Sequence, residues 1–183
     1  MPKTQYYTAT TIDGFIADPD DSLDWLFAVA EGENRFAEFF TGVGAFAMGA
    51  TTYEWVLAHD DLLENPEKWK SYYADVPCWV FTHRDLPPIP GVDLRFVQGD
   101  VRPVHEQMSQ AAGEKNIWLV GGGELVGRFA DAGLLDEVIL GMAPATLGAG
   151  KPLLPRRLGP DRLELVSATQ NGQFVQITYR LKS

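Results

Sequence analysis

At 183 residues, 45% of them hydrophobic and 22% charged, the chain has the make-up of one globular domain spanning residues 1–183, long enough to bury roughly 70% of its unfolded surface. Its net charge of −10 and pI near 4.7 repel phosphate backbones and anionic membranes, which argues against nucleic acid or a membrane as partner. The single cysteine, Cys78, excludes an internal disulfide and the four-ligand cysteine zinc sites, points to no metal, and suits a reducing, cytoplasmic setting.

The N-terminus lacks the apolar core of a signal peptide and runs straight into a strand-like segment, Gln5 to Thr10, which closes on the turn Asp13-Gly14. After the acidic loop Asp18–Asp21 comes Leu23-Asp24-Trp25-Leu26, and the spacing predicts a helix over 33–40 with Glu33, Phe36, Ala37 and Phe40 on one face. Short apolar runs at 45–48, 78–81, 94–97 and 117–120, each bounded by Gly, Pro, Asp or Asn, read as strands buried on both faces. Val104, Met108 and Ala111 mark one intervening helix, and Leu125, Val126 and Phe129 another. Alternation of strand and helix predicts an α/β fold with a mostly parallel sheet. The tail changes period. Leu163/Leu165 and then Val175/Ile177/Tyr179/Leu181 alternate about Asn171-Gly172, which predicts a closing antiparallel hairpin.

Two glycine-bearing strand ends stand out. In Val120-Gly121-Gly122-Gly123-Glu124-Leu125 a buried strand meets glycines and then an amphipathic helix. Glycine permits close backbone approach to a ligand, and a helix start offers free N–H groups suited to phosphate; the same triplet also serves a tight connection that binds nothing. In Met48-Gly49-Ala50-Thr51-Thr52-Tyr53-Glu54 the pattern repeats, with Thr51 or Thr52 able to cap the next helix. Two such turns on one parallel sheet suit the two ends of a dinucleotide. A third strand end, Thr82-His83-Arg84, puts a hydroxyl beside two cations in an otherwise acidic chain. It is either an extra phosphate grip or a solvated loop.

Together with Thr11-Ile12-Asp13-Gly14-Phe15-Ile16-Ala17 and Thr146-Leu147-Gly148-Ala149-Gly150-Lys151-Pro152-Leu153, these segments resemble the dihydrofolate reductase superfamily. The likeness is greatest to the reductase domain of bifunctional riboflavin-biosynthesis deaminase-reductases and their stand-alone relatives. The resemblance implies an eight-stranded, mostly parallel sheet ending in an antiparallel hairpin, with NADPH across the carboxyl ends of the strands and NADH left open. It implies that Ala9 and Ile16 meet the nicotinamide carboxamide. Gly49, Thr51 and Thr52 would lie by the pyrophosphate and adenosine, and Thr82, His83 and Arg84 at the 2′-phosphate. Val120, Gly121, Gly122, Gly123, Glu124 and Leu125 would form the phosphate turn, with Gly121 and Gly122 joined by a cis peptide. Ala50 stands where a family arginine often contacts the 2′-phosphate. The deaminase half has no counterpart here, and one cysteine cannot supply its zinc motif, which points away from a main riboflavin-pathway role.

The same resemblance places Glu33 at the carboxylate of true dihydrofolate reductases that helps protonate substrate. Burial against Phe36 would raise its pKa as that role requires, whereas an exposed first-turn glutamate would only complement the helix dipole. Trp25 either stacks on a flat ring in the substrate cleft or belongs to the core. Asp13 reads as a cap for its turn, His59 and His105 as unpartnered surface residues, and Arg156 and Arg157 as solvated or as contacts for an anionic substrate or a partner subunit. The expected activity is hydride transfer from NADPH to a small heterocyclic or carbonyl-type molecule, pterin- or pyrimidine-like. The alternative is a non-catalytic dinucleotide-binding protein that retains the fold. Relatives suggest a homodimer, with the apolar strands near Leu140 as its interface.

Overall fold

A computed structural model describes residues 2–30 and 34–183. In chain order the elements are β1 (Thr4–Thr10), β2 (Phe15–Ala17), α1 (Asp24–Phe27), α2 (Phe36–Phe40), β3 (Val43–Gly49), α3 (Ala50–His59), α4 (Glu67–Tyr73), β4 (Cys78–Phe81) and β5 (Leu94–Val97). There follow α5 (Val101–Ala112), β6 (Asn116–Gly121), α6 (Gly123–Asp131), β7 (Glu137–Met142), β8 (Lys151–Pro152), β9 (Leu163–Asn171) and β10 (Phe174–Leu181).

Eight strands form one sheet in the order β5-β4-β3-β6-β1-β7-β10-β9. All pairs are parallel except β7–β10 and β10–β9, which gives the expected α/β sheet with its antiparallel hairpin. The reason lies in the apolar runs. Successive side chains of a strand point to opposite faces, and at β3, β4 and β6 both faces are covered; β5, expected to be buried as well, is an edge strand that exposes Arg95 and Phe96. Ala45, Ala47, Trp79, Ile117 and Leu119 enter one core layer with α5 and α6. Phe46, Met48, Cys78, Val80 and Trp118 enter the other, against which α2 and α3 pack. A short second sheet, unforeseen from the sequence, pairs β2 with β8.

Several helices differ from the sequence expectation. On α5 the buried face is Val101, Val104, Met108 and Ala112, so Ala111 points to solvent one position away from the stripe. Asp100 caps this helix, accepting the Arg102 amide at 3.0 Å. α4 was not anticipated; Trp69, fully buried, fastens it by stacking on Phe46 at 5.8 Å between centroids. The expected helix over 33–40 is shorter, Phe36–Phe40, and Glu33 lies outside the described residues. Nothing in α2 is fully buried. It is held by an aromatic layer in which Phe39 stacks on Tyr7 at 4.1 Å and Phe36 meets Trp118 at 5.3 Å.

His105 is not an unpartnered surface residue. Its Nε2 lies 2.8 Å from the Thr4 hydroxyl, and burial pushes its pKa below the usual imidazole range against the opposing pull of Asp136. Leu140 itself is buried, in a strand paired on both sides by β1 and β10. Exposed apolar surface lies farther out on the hairpin, at Leu165, Val166 and Val175. Among the described residues no helix is long and apolar enough to cross a membrane.

Candidate functional site

The parallel strands β3 and β6 deliver their glycine-bearing ends, and β4 its Phe81 end, to one line. Gly49 is paired with Phe81, and Met48 with Gly121. A Cβ on Gly49 would stand 3.7 Å from the Gly121 carbonyl oxygen, and one on Gly122 would stand 3.9 Å from Ile16 Cδ1. Ile16, Gly49, Gly121 and Gly122 are therefore neighbours, at the carboxyl edge where open α/β sheets take their ligands. Ala9 comes three residues after Tyr6, which pairs with Leu119, and so reaches the same end of the sheet. The Gly121–Gly122 peptide is cis, and Gly121 has φ of +133°, a conformation open to glycine. Beneath it Tyr6 is fully buried, its hydroxyl donating to the Leu153 carbonyl at 2.8 Å. Burial drives the Tyr6 pKa far upward, so this phenol is a strut and no acid.

The helices that spring from this line begin uncapped. Gly49 is the N-cap of α3 and Gly122 that of α6, and neither start has a side-chain cap. Thr51 and Thr52 are thus not caps, because α3 begins earlier, at Ala50, and both threonines fall inside its first turn. Amide groups at both starts are left without a side-chain acceptor. The glycine floor and the two helix starts together form a cradle whose backbone amides can receive phosphate.

The cradle is clamped from behind. Gly123 is buried, and a Cβ there would come within 2.5 Å of the Pro152 carbonyl oxygen and 2.6 Å of that of Leu153. The start of α6 therefore rides directly on β8, and β8 pairs with β2, the strand that carries Ile16. Asp13 does more than close its own turn. Its carboxylate takes the Thr11 hydroxyl at 2.6 Å and the Gly148 and Leu147 amides at 2.7 and 3.1 Å. The Thr11 hydroxyl and the Gly148 amide hold this carboxyl below the usual range. Leu125 turns inward to the core, and Val120, half-buried, packs against the opposite layer.

Arg156, expected to be solvated, lies along α6. Its guanidinium reaches Glu124 at 2.9 Å and Asp131 at 2.9 Å, crossing the helix at Gly127, where a Cβ would meet Arg156 Cζ at 2.7 Å. Glu124 is therefore a tether of α6, its carboxyl held low mainly by the Arg156 bond. The signal was present in the sequence: a mid-helix glycine flanked by acids three before and four after.

At the end of β4 the three expected phosphate ligands are close but already engaged. The Thr82 hydroxyl accepts the Arg84 amide at 2.9 Å, His83 Nδ1 lies 3.1 Å from Gln98 Oε1, and Arg84 is ion-paired with Glu54. On the side of the expected substrate cleft, Trp25 is half-buried, with Nε1 sequestered and lacking a hydrogen-bond partner among the described residues. Phe36 belongs to the aromatic layer behind it. An unanticipated stack stands there too: Trp55 and His59 lie 4.5 Å apart, nearly parallel, and exposed Phe27 stacks on His59 at 5.4 Å. His59 is thus the middle of an aromatic wall. The clue was its spacing four residues after Trp55 on one helix.

Comparison with known proteins agrees with this geometry. The model of the RibD C-terminal domain matches residues 2–177. The uncharacterized protein YwjB of Bacillus subtilis is 33% identical over 178 residues, 97% of each chain. Among solved structures, a putative riboflavin biosynthesis protein from Shewanella sp. PV-4 superposes with a TM-score of 0.79 at 24% identity, covering 99% of both chains. Dihydrofolate reductase from Enterococcus faecalis, complexed with NADP(H), superposes with a TM-score of 0.60 at 13% identity, over 99% of this chain and 97% of that one. By sequence as well as by fold, this chain belongs to the RibD C-terminal domain family.

Proposed function

We propose that this protein is a reductase that takes hydride from NADPH, with NADH as a second donor, and passes it to a small heterocyclic or carbonyl-type substrate. The observation that carries this reading is the alignment of Gly49 with Gly121–Gly122 beside Ile16, at two helix starts without side-chain caps. Those starts would hold the diphosphate, while Ala9 and Ile16 would orient the nicotinamide, whose chemistry supplies the hydride. The Trp55–His59–Phe27 wall would lie against the flat face of the substrate, with Trp25 at its margin. Glu33 would deliver the matching proton. Buried Cys78 is compatible with a reducing cytoplasm.

Binding to the native state must stabilise it. NADPH at a hundred times its dissociation constant is expected to add about 2.7 kcal/mol, raising Tm by roughly 5–11 °C in a chain of this size. No shift with either NADPH or NADH sinks the reading. If the nucleotide binds but Glu33→Gln leaves turnover unchanged, the proton comes from elsewhere.

We also propose that two copies join through the β9–β10 hairpin. β9 is an edge strand, exposed along most of its length, with Glu164 its only charge and with Leu165 and Val166 at 57% and 46% exposure. Long, sparsely charged edges of this kind invite pairing, and a second copy about a two-fold axis closes the interface on itself. Light scattering should give twice the chain mass, and Leu165→Lys should give a monomer; a monomeric wild type refutes the dimer.

A further inference from the structure

Resting on the nucleotide reading above, we infer that Glu54 is a specificity-determining residue that weakens the protein's preference for NADPH over NADH by neutralising Arg84. The two nucleotides differ only in the 2′-phosphate, so discrimination between them is a matter of which cations that group can reach.

Glu54 follows Ala50 by four residues on α3, and residues so spaced share a helix face. The face that leaves the Gly49 turn therefore carries first a methyl group and then a carboxylate. Arg84, at the end of the neighbouring strand, is ion-paired with that carboxylate. The pair stands at the lip of an open groove of about 480 Å³ in which Arg84 is the one cation against three carboxylates, Glu54, Asp61 and Asp85. Other donors nearby are also engaged. Arg102 holds Asp100 at 3.2 Å, Arg128 holds the Gly99 carbonyl, and His83 and Thr82 are bonded as described. A 2′-phosphate entering here meets a cation whose charge is already balanced, and must compete with a carboxylate for it.

The competition is open to change. The Arg84 and Glu54 side chains are 59% and 43% exposed. Although the paired Glu54 Oε1 is covered, the guanidinium stays within reach of a solvent-borne phosphate, and ion pairs on such partly exposed side chains hold weakly. Arg84 is thus a phosphate ligand held partly in check, and removing the check should release it.

The test is a set of dissociation constants for NADPH and NADH, read by nicotinamide fluorescence and independent of turnover. Glu54→Gln keeps the shape of the side chain and removes its charge. It is expected to raise the NADPH-over-NADH affinity ratio about tenfold, equivalent to about 1.4 kcal/mol. Arg84→Gln is expected to lower the wild-type ratio. In an Arg84→Gln background the Glu54→Gln effect should shrink to less than twofold, since coupling is what a double-mutant cycle measures. If both nucleotides bind but Glu54→Gln leaves their ratio unchanged, the inference is overturned and the nucleotide reading stands. An unchanged ratio in Arg84→Gln overturns it equally, even should the Glu54 variant fail to fold. If wild-type protein binds neither nucleotide, both fall together.

Discussion

Gly123→Ala is expected to cost about 3 kcal/mol, to lower Tm by roughly 6–12 °C, and to abolish stabilisation by NADPH. The added methyl has nowhere to go. Its position lies 2.5 and 2.6 Å from the carbonyl oxygens of Pro152 and Leu153, which are backbone and cannot rotate aside. Relief must come from lifting the first turn of α6 away from β8, or from pushing β8 outward along with β2 and Ile16. Either movement opens the cradle. Gly42→Ala is the control, because its methyl would meet the Phe39 carbonyl oxygen at 3.6 Å and Asn116 Nδ2 at 3.9 Å, ordinary contacts. Thermal melts of both variants, with and without NADPH, decide the matter. A Gly123→Ala protein that melts like wild type and still gains stability from NADPH would show that α6 need not sit on β8.

The same glycine shows what could be read ahead of the structure. Strand ends and helix starts were legible because each is a local event: an apolar run stops, glycine follows, and amphipathic spacing begins. The closing hairpin was legible for the same reason, though its turn is Gly172-Gln173, one position beyond the Asn171-Gly172 expected, because Asn171 still pairs with Phe174; Gly172 takes φ +60°. Long-range partnerships were not. Nothing local in Asp13 announces the amides of Leu147 and Gly148, and nothing in His105 announces Thr4, 101 residues away. The threonine caps failed by two and three positions, since the N-cap is Gly49. Gly49 leaves the strand in an extended conformation, φ −81° and ψ 170°, so the helix starts at once and the hydroxyls fall beyond the cap. Arg84 was rightly placed at the third strand end, but its engagement by Glu54 depends on α3 packing beside β4, which spacing alone does not reveal.

Trp118→Ala is expected to be the most damaging single change in the other core layer, costing about 4 kcal/mol, or roughly 8–16 °C in Tm. Trp118 rises from β6 three residues before Gly121, stacks on Phe46 at 5.6 Å, and receives Phe36, Phe39 and Phe40 at 5.3, 5.9 and 6.1 Å. Its indole N–H donates to the Tyr7 carbonyl at 3.1 Å, tying β1 to β6 beneath the site. α2 is five residues long, too short to persist on backbone hydrogen bonds alone, so its position depends on this layer. With the indole gone, the Phe39 and Thr41 amides, bonded to the Arg35 and Ala37 carbonyls at 3.0 and 3.2 Å, should exchange hydrogen far faster, while α5 and α6, on the opposite face of the sheet, stay protected. Trp118→Phe keeps a six-membered ring but loses the bond to Tyr7 and part of the indole's buried bulk, so an intermediate cost of about 2–3 kcal/mol is expected. Equal exchange in α2 and α6 after Trp118→Ala would mean that the two faces of the sheet unfold as one, and that α2 takes its place from the whole sheet and not from the aromatic layer.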